Sequence, residues 1–85
     1  MLDLKETINL MMSDNYEDRF KAEYLQLRIR IFKLANILNN WEDKGFEAKC
    51  SKDLLTRQHK EMVKYMLILE ERAEIEGIDL STIYI

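Results

Sequence analysis

The feature that most constrains the fold is the near absence of helix breakers. The chain has 85 residues, no proline and only two glycines, Gly45 and Gly77. These two residue types disfavour a helix interior most strongly, by about 3 kcal/mol for proline and about 1 kcal/mol for glycine relative to alanine. Long stretches on either side of Gly45 therefore contain nothing that interrupts a helix, and we expect an all-α fold.

A heptad pattern marks the first of these stretches. Its apolar residues are spaced alternately four and three apart, which keeps them on one side of a helix. They are Phe20, Tyr24, Leu27, Ile31, Leu34, Leu38 and Trp41. We predict a helix over residues 16–43, with Asn15 as its N-cap and Lys44-Gly45 as its C-terminal stop.

The second stretch has the same character. Ser51 or Asp53 is suited to begin a helix, and Gly77 is suited to end it, so we predict a helix over residues 52–76. Two long helices joined by a short loop lie antiparallel. The expected architecture is a helical hairpin with an N-terminal extension over residues 1–12 and a tail over residues 77–85, all in one domain, residues 1–85.

The apolar face of the first helix is wider than one partner helix can cover. A second apolar set lies beside the heptad and consists of Leu25, Ile29, Phe32 and Ala35. A surface helix needs an apolar stripe of only about 100° to pack against its own core. We therefore expect several hairpins to assemble into an oligomeric bundle.

Charge and composition argue against several classes of protein. The formal net charge is −3, whereas duplex nucleic acid is bound through an excess of positive charge. The single Cys50 leaves no internal disulfide framework and suits a reducing compartment. The N-terminus does not resemble a signal peptide, and no stretch approaches the roughly 20 apolar residues of a membrane span. We expect a cytoplasmic protein with neither duplex nucleic acid nor a membrane as a partner.

Residues suited to catalysis are few. Cys50 and His59 are the only cysteine and histidine, too few for a zinc ligand set. One interpretation pairs them as nucleophile and base. The ordinary alternative is that Cys50 is a loop thiol and His59 is a helix-face or core residue. We expect a protein that is not an enzyme and needs no cofactor or metal.

A local positive surplus on the first helix is more informative. Residues 16–33 carry five basic and three acidic side chains. Tyr24 and Arg28 are four residues apart and are therefore neighbours on one face. A ring beside a guanidinium suits a nucleobase with an adjacent phosphate. The alternative is that Tyr24 belongs to the core and Arg28 forms surface ion pairs.

The end of the first helix carries Asn39, Asn40 and Trp41 in succession. Amide and indole donors at a helix end are typical of a ligand rim. They are equally typical of C-capping side chains, with the indole sealing the end of the hairpin.

Two runs of the sequence resemble a known family. The first, residues 15–38, reads NYEDRFKAEYLQLRIRIFKLANIL, and the second is the spaced pattern LLxxQxxxMxxYxxxLxxRAxIE over residues 54–76. Both resemble small phage and prophage proteins of the crAss-related type, which are in turn similar to the type 2 anti-CBASS phage proteins. Those are helical hairpins that form hexamers and act as sponges: they sequester the cyclic oligonucleotide messengers of bacterial antiphage systems without cleaving them.

The resemblance implies a role and a set of site residues. It implies a homo-hexamer in the cytoplasm of the infected host that binds cyclic di- or trinucleotides and so inhibits antiphage signalling. The family's early aromatic corresponds to Tyr24, and the family's lysine after the helix's leucine pair corresponds to Asn39. The predicted ligand-binding residues are Tyr24, Arg28, Asn39, Asn40 and Lys44. The alternative function is a non-catalytic protein–protein interaction module of a phage or prophage.

Overall fold

A computed structural model of the protein describes residues 4–42 and 49–80, apart from the side chain of Glu6. The elements in chain order are a 3-10 helix over Leu4–Thr7 and three α-helices, α1 (Ile8–Met11), α2 (Tyr16–Asn39) and α3 (Lys52–Glu76). Every regular element in these two ranges is helical, which confirms the predicted all-α class. None of the described helices is long and apolar enough to cross a bilayer.

The N-terminus of α2 has the predicted cap. Asn15 has an extended backbone, and its side-chain Oδ1 accepts a hydrogen bond of 2.8 Å from the backbone N–H of Glu17. Glu17 and Asp18 lie in the first turn, where their charges favour the positive end of the helix dipole. The sequence signal and the structure therefore agree on where α2 begins.

The C-terminus of α2 comes earlier than predicted. The helix ends at Asn39, and residues 40–42 form a turn that includes Trp41. The Asn40 side chain turns back and donates to the carbonyl oxygen of Asn36 at 2.9 Å. Asparagine competes with the helix for backbone hydrogen bonds in this way, which is why it favours helix ends over helix interiors. The predicted stop at Lys44-Gly45 lies outside the described residues.

Both caps of α3 coincide with sequence signals. The Ser51 hydroxyl accepts the backbone N–H of Leu54 at 3.1 Å. Gly77 has φ 73° and ψ 28°, the left-handed conformation that favours glycine, and its N–H donates to the carbonyl of Ala73. The observed span of α3 equals the predicted range.

The two long helices are antiparallel. Near the start of α2, Tyr16 bonds to Glu76 at the end of α3, and two turns further along α2, Tyr24 bonds to Glu70. Residue numbers therefore increase along α2 while the numbers of their partners on α3 decrease. The core lies at this end of the hairpin, where Phe20 and Tyr24 pack with Leu69, Ala73 and Ile78.

The N-terminal segment covers part of α2 within the same chain. Thr7 is fully buried, donates to the carbonyl of Leu4 at 2.6 Å and accepts from the Gln26 side chain at 2.8 Å. Leu25 and Ile29 of α2 are also buried. Part of the apolar face of α2 is thus covered within one chain, so the width of this face alone does not require a second copy.

Candidate functional site

The predicted neighbours Tyr24 and Arg28 belong to a hydrogen-bonded cluster that joins the two helices. The Tyr24 hydroxyl donates to Oε2 of Glu70 at 2.5 Å and accepts a long, 3.5 Å hydrogen bond from Nη1 of Arg28. The cluster lies at the side of the core, where α2 faces α3. Hydrogen bonds to charged groups are the stronger kind, and here they hold a half-buried guanidinium against the hairpin.

Tyr24 itself is a core residue. It is only 2% exposed, and its ring packs among Phe20, Leu69 and Ala73. The sequence left two alternatives open for Tyr24, and in the single chain the residue occupies the core position. The ring offers no free face to a nucleobase in this arrangement. The Arg28 side chain beside it is half-buried, and its Nε atom is shielded from solvent.

An aromatic ring does lie at the surface beside Arg28, four residues further along α2. Phe32 is 44% exposed, and the Cζ atom of Arg28 lies 5.0 Å from the centroid of the Phe32 ring. This is the geometry of a cation–π contact. Arg28 and Phe32 thus form a pair of a cation and a surface ring beside the predicted residues Tyr24 and Arg28. The i, i+4 spacing of Arg28 and Phe32 was the available signal.

The two asparagines at the end of α2 line the same hollow of about 240 Å³, together with Trp41 and Lys52. Asn40 also caps the helix, bonding to the carbonyl and side-chain oxygens of Asn36. Asn39 is exposed on the rim of the hollow. The capping role is thus observed for Asn40, while Asn39 remains a candidate rim residue. Lys44, the fifth predicted site residue, lies outside the described residues.

Among the described residues of a single chain, Arg28 and Asn39 lie apart along α2. Arg28, Phe32 and Asn39 share one face of α2 because their spacings of four and seven residues return to the same side of a helix. Arg28 and Asn39 are nevertheless about 16 Å apart along the axis, at 1.5 Å per residue. The structure therefore aligns them as a strip, not as one pocket.

A second tyrosine–glutamate–arginine cluster lies at the same end of the hairpin, where α2 begins and α3 ends. The Tyr16 hydroxyl donates to Glu76 at 2.7 Å and accepts from Nη2 of Arg72 at 2.9 Å, and Arg72 lies over the Phe20 ring at 5.0 Å. The hydrogen bond to the Glu76 carboxylate, followed by burial and by the charge of Glu76, raises the pKa of Tyr16 above its usual 10.0. This cluster fastens the first turn of α2 to the last turn of α3.

Groups suited to catalysis are not assembled in the described part of the chain. Cys50 is exposed ahead of α3, and His59 is half-buried about two turns into that helix, so about 10 Å of helix lies between them at 1.5 Å per residue. The Nε2 atom of His59 is buried without a hydrogen-bond partner. No group of three or more metal-binding side chains is found among residues 4–42 and 49–80.

Comparison with known families adds the decisive observation. The model of one family, Sequestin, matches residues 14–75. This chain belongs to the Sequestin family. The matched range begins just before the Asn15 cap and includes all of α2 and all of α3 except Glu76, so the Sequestin match covers the whole hairpin described above. We found no match among curated proteins or among solved structures.

The Sequestin name denotes sequestration of a ligand. That agrees with the sponge-type protein expected from the sequence and with a binding role instead of a catalytic one. The residues of the candidate site lie within the matched range 14–75, apart from Glu76. They are the Arg28–Phe32 pair, Asn39 and the two tyrosine clusters.

Proposed function

We propose that this protein is a phage-type sponge that binds cyclic oligonucleotide immune messengers, holds them without cleaving them and thereby inhibits bacterial antiphage signalling. The single observation that carries the proposal is the Sequestin match across the hairpin. The resemblance of residues 15–38 and 54–76 to crAss-related and type 2 anti-CBASS phage proteins supplies the ligand class and the hexameric assembly. The host cytoplasm is the place where such messengers act.

The chemistry of the Arg28 face suits this ligand. A cyclic dinucleotide has two flat bases and two phosphate charges. Arg28 supplies a planar guanidinium for phosphate oxygens, and the adjacent Phe32 supplies a surface ring on which a base can stack. Tyr24 and Glu70 contribute indirectly. The Tyr24 hydroxyl, which donates to Glu70, also accepts from Arg28 and so helps to position it.

A seam between copies is the natural place for the complete site. Arg28 and Asn39 lie on one face of α2 but too far apart along the axis to meet around one phosphate. Two copies related by a two-fold axis would place the Asn39 end of one α2 beside the Arg28 region of the other, and Lys44 follows in the adjoining segment. A two-fold seam also matches the approximate two-fold symmetry of a cyclic dinucleotide.

The outer face of α3 supports self-association. Its large apolar side chains include Ile68, 54% exposed, and Ile75, 79% exposed, together with Leu67. The spacing of residues 64, 67, 68, 71 and 75 puts them on one side of the helix. We assign this side, the α3 outer face (Lys64, Leu67, Ile68, Glu71 and Ile75), as a surface where copies meet.

The distribution of charge along α3 favours antiparallel pairing of the α3 helices of two copies. Residues 52–64 carry four basic and two acidic side chains, and residues 65–76 carry one basic and four acidic ones. An antiparallel pair centred between Leu67 and Ile68 places Lys64 opposite the partner subunit's Glu71. The last turn of α3 contains no basic residue, so its acidic side chains face the negative end of the helix dipole. A basic segment from a second copy would offset that repulsion.

The test is titration calorimetry with a panel of cyclic di- and trinucleotides, combined with light scattering for the mass of the assembly. We expect at least one messenger to bind below the micromolar range, an oligomer in solution, and recovery of intact messenger after denaturation of the complex. Absence of binding across the panel refutes the sponge, and cleaved messenger refutes the non-catalytic role.

The rival function is a protein–protein interaction module, and the exposed apolar residues of the α3 outer face are the observation in its favour. It predicts a monomer in isolation, because the face would await another protein. Stoichiometric capture of one host or phage protein by the wild type, abolished by Ile68→Asp and unaffected by every messenger, would support the rival over the sponge.

A further inference from the structure

A groove on the opposite side of α2 from Arg28 is not explained by the proposed site. It runs between α2 and α3, and Leu4 of the N-terminal 3-10 helix closes one end. Its volume is about 450 Å³, within the range of roughly 300–1,000 Å³ typical of small-molecule pockets. From its lining we infer that this groove binds a nucleotide, with the phosphate held by Arg30 and Lys33 and the base lying on the apolar floor.

The groove is positive although the chain is negative. Arg30 and Lys33 both line it, and none of the acidic side chains that the structure describes does. Three residues apart on α2, they lie side by side on one turn. Neither forms an ion pair with any residue in the described ranges, whereas the basic residues Lys64 and Arg72 of α3 each have a carboxylate partner. Two neighbouring cations, with no carboxylate partner in that part of the chain, are complementary to a phosphate.

The floor of the groove suits a flat ring. Leu34 and Ile37 contribute from α2, and Leu55 and Met62 contribute from α3. Met62 has an unbranched, polarizable side chain that adapts to a planar ligand. Gln58 lies between the two α3 residues on the same face, where its amide can both donate to and accept from the edge of a base. The lining thus combines an apolar surface, two cations and one amide.

The groove and the Arg28 face are separate sites. Residues 28 and 30 are two positions apart on a helix of 3.6 residues per turn, so they point to nearly opposite sides of α2. The choice of a nucleotide as ligand rests on the proposed sponge function. The position of the groove and its charge do not, since they follow from the packing of three segments in one chain.

Adenosine 5′-monophosphate is a suitable probe because it carries one base and one phosphate. Titrated into the isotope-labelled full-length protein, it should shift the amide signals of Arg30, Lys33, Leu55 and Met62 in a saturable way. Adenosine without the phosphate should bind at least about tenfold more weakly, because the charge-assisted contacts are lost. Raising the ionic strength should weaken only the phosphate-bearing probe.

A pair of double variants decides whether the groove is responsible. Arg30→Gln with Lys33→Gln removes the two groove cations at exposed positions, and Arg57→Gln with Lys60→Gln removes two exposed cations from α3 outside the groove. We expect the first double variant to lose at least about tenfold in affinity for the probe and the second to retain it. Equal loss in both, or shifts confined to residues outside the groove, would overturn the inference.

The groove and the sponge can fail independently. If the groove variant loses the monophosphate but still binds a cyclic messenger below the micromolar range, the two sites are distinct and both proposals stand. If the wild type binds the monophosphate in the groove but no cyclic oligonucleotide, the sponge is refuted and the groove is retained. If the wild type shows no saturable shift up to millimolar probe, the groove is refuted whatever the messengers do.

Discussion

The hydroxyl of Tyr24 on α2 donates to the carboxylate of Glu70 on α3 across 46 residues of sequence, at an oxygen–oxygen distance of 2.5 Å. The same hydroxyl accepts from Arg28. One buried side chain therefore aligns the two long helices and positions the cation of the proposed ligand face. Under the proposed function, we expect a mutation at Tyr24 to affect both stability and ligand binding.

Tyr24→Phe measures what the hydroxyl contributes to stability. The ring stays in the core, while the Glu70 carboxylate loses its donor and Arg28 loses an acceptor. We expect the free energy of unfolding to fall by about 1–3 kcal/mol, measured by urea denaturation. Tyr65→Phe, at an exposed tyrosine of α3, is the matched control and should change stability little. A neutral Tyr24→Phe would mean that the buried hydrogen bond contributes nothing net.

Phe32 should matter to the ligand more than to the fold. Phe32→Leu removes the ring and keeps an apolar side chain, so we expect affinity for a bound cyclic dinucleotide to fall by about 1–3 kcal/mol if the ring stacks on a base. Phe32→Tyr keeps the ring and should retain affinity. Calorimetry on the three proteins is the measurement. Equal affinity for Phe32→Leu and wild type would show that no base stacks at this residue.

The α3 outer face can be tested by exchanging charges. Lys64→Glu and Glu71→Lys should each reduce the mass of the assembly measured by light scattering, because each places like charges opposite one another in the antiparallel pair. The double exchange restores opposite charges and should restore the wild-type mass. Single variants that keep the wild-type mass, or a double variant that does not recover it, would place the contact elsewhere.

Tyr16 should titrate at a higher pH than an ordinary tyrosine. Because the Glu76 hydrogen bond raises its pKa above 10.0 in the folded state, the folded chain favours the protonated phenol. The stabilisation is fully present below pH 10 and is lost as the pH rises through the raised folded value. Site-resolved carbon NMR of the Tyr16 ring follows the titration. Glu76→Gln should shift the midpoint back toward 10, and an unchanged midpoint would remove Glu76 as the cause.

The sequence was most informative where the signals were local. Asn15 and Ser51 begin helices because their side chains accept backbone N–H groups close to them in sequence, and Gly77 ends one because it adopts positive φ. Heptad spacing located the inner face of α2 for a similar reason. The end of α2 was placed too late because an apolar residue, Trp41, continued the spacing although Asn40 had already turned back to cap the helix.

The candidate site was only partly predictable. Spacing alone showed that Tyr24 and Arg28 are neighbours, and they are 3.5 Å apart at their polar atoms. Spacing could not show which of Tyr24 and Phe32 would lie inside, because both rings occupy apolar positions on α2. That choice depends on where α3 packs, and α3 covers the ring of Tyr24 while it leaves Phe32 44% exposed.

The sequence by itself thus determined the two long helices, their antiparallel pairing and the starting caps, since periodicity, capping and a short connection act over a few residues. Only the tertiary structure decided the rest. It joined Tyr24 to Glu70, packed the N-terminal segment against α2 through Thr7 and Gln26, and brought Leu4, α2 and α3 together around Arg30 and Lys33. Each of these requires segments that are distant in sequence to pack in one particular orientation, which local spacing does not encode.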